Sequence, residues 1–348
     1  MQLPTVDEKT LLSFLTGLLN TPSPTGRTEQ AIYYVEQAFA AIPGVSVKRT
    51  RKGGLLVTFS GEHKEAPRAL TAHTDTLGAM VKEIKGDGRL ALSQLGGYAW
   101  NTIEGEGCTV FAYSGEQVRG SILLTTPSAH VHGTQVGEAK RSAETMEVRL
   151  DARVINSADT RALGIEVGDF IAFDPRVEVV NGFVRSRHLD DKAGVACILA
   201  AVRAMSLAGL KPLQTTYILI SNYEEVGHGA AAGIPTEVQE LVAVDMAAVG
   251  GGQTSDEFHS TLCVKDSGGP YHYDLCQRLR SLAEAAGIPY KVDIYPYYGS
   301  DGEAFWRAGG DVAVALIGPG VDASHNYERT HTDALLATTQ WVMAYLLN

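Results

Sequence analysis

The sequence predicts an α/β protein: a mostly parallel sheet covered by helices, interrupted by an inserted all-β domain. Three observations carry that expectation. Apolar runs of strand length, TTYILIS, ELVAVD and DVAVALIG, alternate with helical segments in the second half of the chain, and such alternation implies neighbouring strands buried on both faces. From about Gly78 to Arg185 the texture changes to short, alternating, glycine-punctuated runs such as RLALSQLGG, TVFAYSG and GSILLTT, with no helical period. Finally, each apolar strand outside that stretch ends in side chains able to bind a metal: His73 and Asp75 after ALTA, Glu224 and Glu225 after YILISNY, Asp245 after LVAV, and His325 shortly after VALIGPG.

In chain order, two amphipathic helices come first. The second starts near Thr28, with Glu29 in its first turn and Ile32, Val35, Phe39 and Ile42 on one face, and Pro43-Gly44 stops it. Short strands VSVKRT and LLVTF lead to RALTAHTD, whose apolar approach ends in polar groups. After the β-rich stretch, DKAGVACILAAVRAMSLAG reads as a buried helix, and ATTQWVMAYLL as the C-terminal helix. The expected division is a discontinuous α/β catalytic domain, residues 1–78 plus 186–348, around a β-rich domain of residues 79–185.

Composition limits the function. A chain of 348 residues with 45% hydrophobic and 20% charged residues has the profile of a globular protein with a sizeable core. Its formal charge of -11 leaves no basic stripe to displace counterions, so nucleic acid is not an expected partner. MQLPTVDEKT has neither the basic nor the apolar part of a signal peptide, and no later stretch stays apolar long enough to span a bilayer, so a cytoplasmic protein without a membrane partner is expected. Cys108, Cys197, Cys263 and Cys276 are scattered, with no CxxC pair, and read as buried reduced thiols. A metal here must be held by nitrogen and oxygen.

At the carboxyl ends of parallel strands, groups far apart in sequence converge on one crevice. In His73-Thr74-Asp75 the i, i+2 spacing places both side chains on one face of an extended chain, so the carboxylate can orient the imidazole; a lone HxD also occurs as a surface polar pair. Glu224-Glu225 would repel after a buried strand unless a cation or proton compensates them, the alternative being a solvated acid pair at a helix start. Asp190-Asp191 suits either a helix N-cap or a carboxylate bridging two metals. Sites of His and carboxylate favour zinc, cobalt or manganese over calcium. His130 and His132 read as loop residues of the insertion, and neither His188 nor His228 is expected to be a ligand.

AHTDTLG, HLDDKAGVA, NYEEVGHGA and AVDM, in that order and with a β insertion between the first two, resemble the M42 family of metallo-aminopeptidases, which includes glutamyl, deblocking and tetrahedral aminopeptidases. LGIEVGDFIAFDP is similar to that family's insertion ending, and Gly299-Ser300-Asp301 to its GTD element. The resemblance implies a di-zinc peptidase-like fold in which His73 and Asp245 hold one metal, Glu225 and a final histidine hold the other, and Asp190 bridges them. It makes Glu224 the general base and Asp75 the carboxylate on His73, and implies a strained, often cis, peptide between Asp190 and Asp191. At the last ligand the family usually reads RYIHS and this chain reads DASHNYERTHTD. His325 is the choice, because it follows GPG as in related di-zinc peptidases and lies at the usual distance from the C-terminal helix; His331 is then left to the substrate pocket.

The function implied is a metal-dependent aminopeptidase with two divalent ions per subunit, Zn²⁺ first and Co²⁺ or Mn²⁺ next, acting on peptides through a two-metal-activated water. A homo-oligomer is implied too, from a dimer up to a dodecamer, with the insertion serving substrate access or oligomerisation. The rivals are an M20-type di-zinc deacylase or carboxypeptidase and a catalytically silent, metal-stabilised scaffold. An insertion that precedes Asp190 and looks all-β argues against the first, and an intact Glu224 against the second.

Overall fold

The apolar runs of the second half lie at the centre of a large sheet. In a computed structural model describing residues 2–348, the strands run Gln214–Ser221, His63–His73, Glu240–Val244, Ala313–Asp322 side by side, each pair parallel. Parallel pairing needs crossover connections, which the helical segments can supply, and burial on both faces makes the strands near-continuously apolar, as in Leu241, Val242, Ala243 and Val244.

Beyond these four the sheet is antiparallel, so it is mixed, and the expectation of a mostly parallel sheet holds only for its centre. On one side Gln214–Ser221 pairs antiparallel with Leu55–Phe59, which pairs with Val45–Arg49. On the other, Ala313–Asp322 pairs antiparallel with Ser260–Asp266 and Glu328–His331. The order then continues through Phe183–Ser186 to Glu178–Val180, in a sheet of 13 strands among the described residues.

The chain divides into two units. One runs up to Asp75 and resumes at Arg176, and the other is Thr76–Pro175, where the sequence suggested junctions after residues 78 and 185. The difference lies in a hairpin. Asn181 and Gly182 take positive φ, 52° and 81°, between Glu178–Val180 and Phe183–Ser186, the two-residue Asn-Gly turn that joins antiparallel strands. Those strands belong to the large sheet through Glu328–His331, although their alternating pattern looks like the insertion's.

Helices cover the sheet. Glu8–Leu19 is capped by Asp7, whose carboxylate accepts the Thr10 N–H. Glu29–Ala40 buries Ile32, Val35 and Phe39 as expected. Leu189–Leu207 is buried almost all round, as a helix enclosed by other elements must be. In the C-terminal helix, Thr332–Leu346, the fully buried Trp341 donates its indole N–H to the Leu279 carbonyl at 2.9 Å and packs edge-on against Tyr290. Trp341→Ala is expected to cost about 3–5 kcal/mol, read as a lowered urea midpoint; an unchanged midpoint would mean that this contact contributes little.

In the second unit, Gly78–Ile84, Leu90–Leu95, Met146–Leu150, Gln117–Leu124, Gly107–Phe111 and Phe170–Phe173 close into a barrel around its own core, with Val81, Leu92, Val110, Ile122 and Val148 inside. Closure removes the sheet edges. The unit is not all-β: the helices Ala129–His132, Gln135–Glu138 and Ser157–Ala162 are too short to show a period. No helix among the described residues is long and apolar enough to cross a membrane.

Candidate metal centre

The parallel strands deliver their polar ends to one place. Ser221 is paired with His73 where their strands end, so Glu224 and Glu225 in the following turn stand beside the imidazole. Asp245 leaves its strand one residue after Val244, with its N–H on the Ile317 carbonyl at 3.0 Å. Asp190 opens the buried helix with non-helical backbone, φ -73° and ψ 109°, and the Asp190-Asp191 peptide is cis. His325, with φ 61°, lies in the turn after Ala313–Asp322.

Two triads result. His73, Asp190 and Asp245 form one and Asp190, Glu225 and His325 the other, each with one donor atom per residue within 4.8 Å of the rest. Asp190 is common to both. His73 Nε2 lies 3.1 Å from Asp190 Oδ1, and His325 Nε2 lies 3.4 Å from Asp190 Oδ2 and 3.6 Å from Glu225 Oε2. Ligands at zinc–nitrogen and zinc–oxygen distances around a tetrahedral ion stand about 3.4 Å apart, so the donor spacing fits a metal. The tautomer fits as well. His73 Nδ1 is 2.9 Å from the Asp75 backbone carbonyl, which only accepts, so Nδ1 carries the hydrogen and Nε2 offers its lone pair toward Asp190.

Electrostatics points the same way. Burial pushes the Glu224 and Glu225 carboxyls well above their usual range, helped by Asp245 and Asp301 for Glu224 and by Asp190 for Glu225. Burial and the Asp190 charge push Asp245 up to about 7. Burial opposes a charge on His325, yet Asp190 and Glu225 raise it to about 10. These acids are packed together with too little positive charge from the chain itself, a deficit that bound cations would remove.

Asp75 differs from expectation in what it holds. Its carboxylate stands 3.5 Å from His73 Nδ1, farther than its own backbone carbonyl. It accepts instead the N–H groups of Glu224 at 3.1 Å and Glu225 at 3.2 Å and the Thr25 hydroxyl at 2.8 Å. Asp75 thus positions the acid pair as well as the imidazole. Glu328, which sequence reasoning missed, accepts the N–H of Asp190 and of His325, each at 3.1 Å, and so ties the shared carboxylate to the last histidine. Asp301 is buried, takes the Ala230 N–H at 2.7 Å and the Ser221 hydroxyl, and braces the turn that follows the acid pair.

His331 belongs to neither triad. Its ring packs against Phe183 and Phe258, with centroids 4.9 and 5.1 Å away, and accepts the Asp333 N–H at the start of the last helix. His228 stacks on Tyr223, and His188 precedes the buried helix. His130 and His132 lie in a short helix of the barrel unit. All four cysteines are free and buried, and no thiol joins either triad among the described residues. In front of the triads lies a cavity of about 370 Å³, lined by Asp190, Glu224, Glu225, Asp245 and His325 on one side.

Comparison with known proteins bears on the family and the fold. A family profile described as M42 glutamyl aminopeptidase matches residues 53–340. YhfE of Bacillus subtilis (strain 168), a protein named as an aminopeptidase, is 48% identical over 336 residues, covering 96% of each chain. The same fold occurs in the TET aminopeptidase of a marine sediment archaeon, Thaumarchaeota archaeon SCGC AB-539-E09, at a TM-score of 0.87 and 17% identity over 98% of this chain and 96% of that one. It occurs also in the TET1 peptidase of Pyrococcus horikoshii, which can assemble into a tetrahedron or a large octahedral shell, at a TM-score of 0.82 and 21% identity over 97% and 99%.

Proposed function

Because the chain belongs to the M42 family and is a metal-dependent aminopeptidase, we propose that His73, Asp190 and Asp245 hold one divalent ion, that Asp190, Glu225 and His325 hold a second, and that Glu224 is the general base. The observation that carries this reading is the pair of triads sharing Asp190, with Glu224 Oε2 3.5 Å from His73 Nε2 but in neither triad. Two divalent cations would offset the charge of these crowded carboxylates. Zn²⁺ is the first choice for these donors, with Co²⁺ and Mn²⁺ next.

When bound, the ions supply Lewis acidity toward the scissile carbonyl and acidify a water at neutral pH. With the ions in place, Glu224 would take a proton from the attacking water and return it to the departing amine. Asp75 holds the backbone of Glu224 and Glu225 still, and its carbonyl fixes the His73 tautomer. Glu328 does the same for Asp190 and His325.

The substrates are peptides with a free N-terminus, cut one residue at a time. By analogy with the Pyrococcus TET1 peptidase, the chain forms a closed homo-oligomer, and the barrel unit controls assembly or substrate access. Four buried, unpaired cysteines suit a reducing, cytoplasmic setting.

A panel of aminoacyl p-nitroanilides tests the reading. Dialysis against a chelator is expected to abolish turnover, and Zn²⁺, Co²⁺ or Mn²⁺ to restore it. Full turnover by metal-free protein overturns the metal assignment, and a metal-replete protein inert on every substrate supports the scaffold instead.

A further inference from the structure

The cavity before the candidate metal centre continues past the triads along Tyr298, Ser300, Glu303 and Arg307. Glu303 and Arg307 stand one turn apart on the helix Asp301–Arg307, with Glu303 Oε2 2.9 Å from Arg307 Nη2. The partners are unequal. The Glu303 side chain is 9% exposed and that of Arg307 68%, so the carboxylate belongs to the wall and the guanidinium to the mouth. The Glu303 carboxylate packs closely on Gly268, where a Cβ would overlap it.

Asp266 lies beside it, fully buried, its carboxylate fixed by the Tyr271 hydroxyl at 2.5 Å and the Gly268 N–H at 2.9 Å. Burial and the nearby Asp266 push the Glu303 carboxyl up to about 7. The wall therefore presents the Glu303 carboxylate, with Asp266 buried behind it, and the guanidinium that faces it sits in solvent, where an ion pair gains little. A cation entering the cavity can take the place of Arg307 on Glu303 and exchange a screened pair for an enclosed one. An anionic side chain would meet the enclosed Glu303 carboxylate, with the charge of Arg307 already engaged.

We propose that Glu303 selects a cationic side chain, so that the N-terminal residue removed is lysine or arginine, its charged end replacing Arg307 on the Glu303 carboxylate. This rests on the aminopeptidase reading of the adjoining centre. A cavity of about 370 Å³ is within the size of small-ligand pockets, and Glu303 is the specificity residue of this one.

The test uses the p-nitroanilides of lysine, of norleucine, which keeps the four-carbon chain without the ammonium, and of glutamate, in which the N-terminal residue alone carries a side chain. The metal-loaded protein is expected to favour lysine over norleucine in kcat/KM by about tenfold or more, the scale of a hydrogen bond to a charged group. Glu303→Gln removes that advantage, and Arg307→Ala, at an exposed position, increases it by deleting the competing cation. Equal rates for lysine and norleucine in the unaltered protein overturn the proposal. So does a preference for glutamate that Arg307→Ala abolishes. Calorimetry with free L-lysine and L-norleucine reads the same contrast without turnover. Tighter binding of lysine that depends on Glu303, in a protein that hydrolyses nothing, keeps this inference and sinks the aminopeptidase reading. Equal binding of the two overturns the inference whatever the turnover.

Discussion

Glu224→Gln is expected to keep both metal ions and the fold while lowering kcat by about two to four orders of magnitude, the contribution of a positioned proton acceptor. Gln preserves the shape of the side chain and one acceptor oxygen, and the backbone N–H of residue 224 still reaches the Asp75 carboxylate. It cannot accept a proton. Because Glu224 stands beside His73 but outside both triads, its loss leaves the proposed donors in place. Glu225→Gln should behave differently, since a neutral amide is a poor ligand for a divalent cation and Asp190 would be the remaining carboxylate of its triad. The check is metal content per chain beside kcat on one aminoacyl substrate. If Glu224→Gln releases metal while Glu225→Gln stays replete but inactive, the two roles are exchanged. High kcat in both makes the pair a structural feature of the turn.

His325→Ala is expected to remove about one ion per chain and most activity, whereas His331→Ala keeps both ions. The first change deletes one donor of the Asp190, Glu225 and His325 triad, and even changes to residues that merely support a ligand cost about 10–100-fold in metal affinity. The second deletes a ring set between Phe183 and Phe258, so its effect falls on packing and on the start of the last helix. Elemental analysis after gel filtration in metal-free buffer distinguishes them. Loss of the ion from His331→Ala alone would show that the last ligand has been misplaced.

Much of this site is written in the sequence because a parallel strand announces itself twice, by an apolar run and by the polar residue at its carboxyl end. ALTAH, YILISNYEE and LVAVD each show both, and each led to a residue at the centre. Glu328 gives no such sign. It lies on a four-residue strand, Glu328–His331, beside other charged residues, and its importance comes from two backbone N–H groups brought to it from Asp190 and His325. Asp75 was legible as a partner of His73 but not as an acceptor from Glu224 and Glu225, a relation that exists only once two strands are paired. The sheet's flanks were misread for a related reason. Alternating strands such as Glu178–Val180 and Phe183–Ser186 look the same whether they close a barrel or extend a sheet, and the Asn-Gly turn between them fixes a hairpin without saying which neighbour it joins.

The dispersal of the triads along the chain also sets when a molecule becomes dangerous. His73 is made early, Asp190 and Glu225 in the middle, and His325 close to the C-terminus, and the pairings that gather them are non-local, which are the slow contacts of folding. A chain still being synthesised, or one cut short before residue 325, contains most of the donors and lacks the second triad. On the proposed assignment, the second ion can be held only once the sheet has brought His325 to Asp190 and Glu225, so its binding energy would favour the finished fold. On that assignment the two-ion centre is incomplete while the chain is itself an unfolded peptide, and competence to cut peptides would arrive only with the chain's own folding.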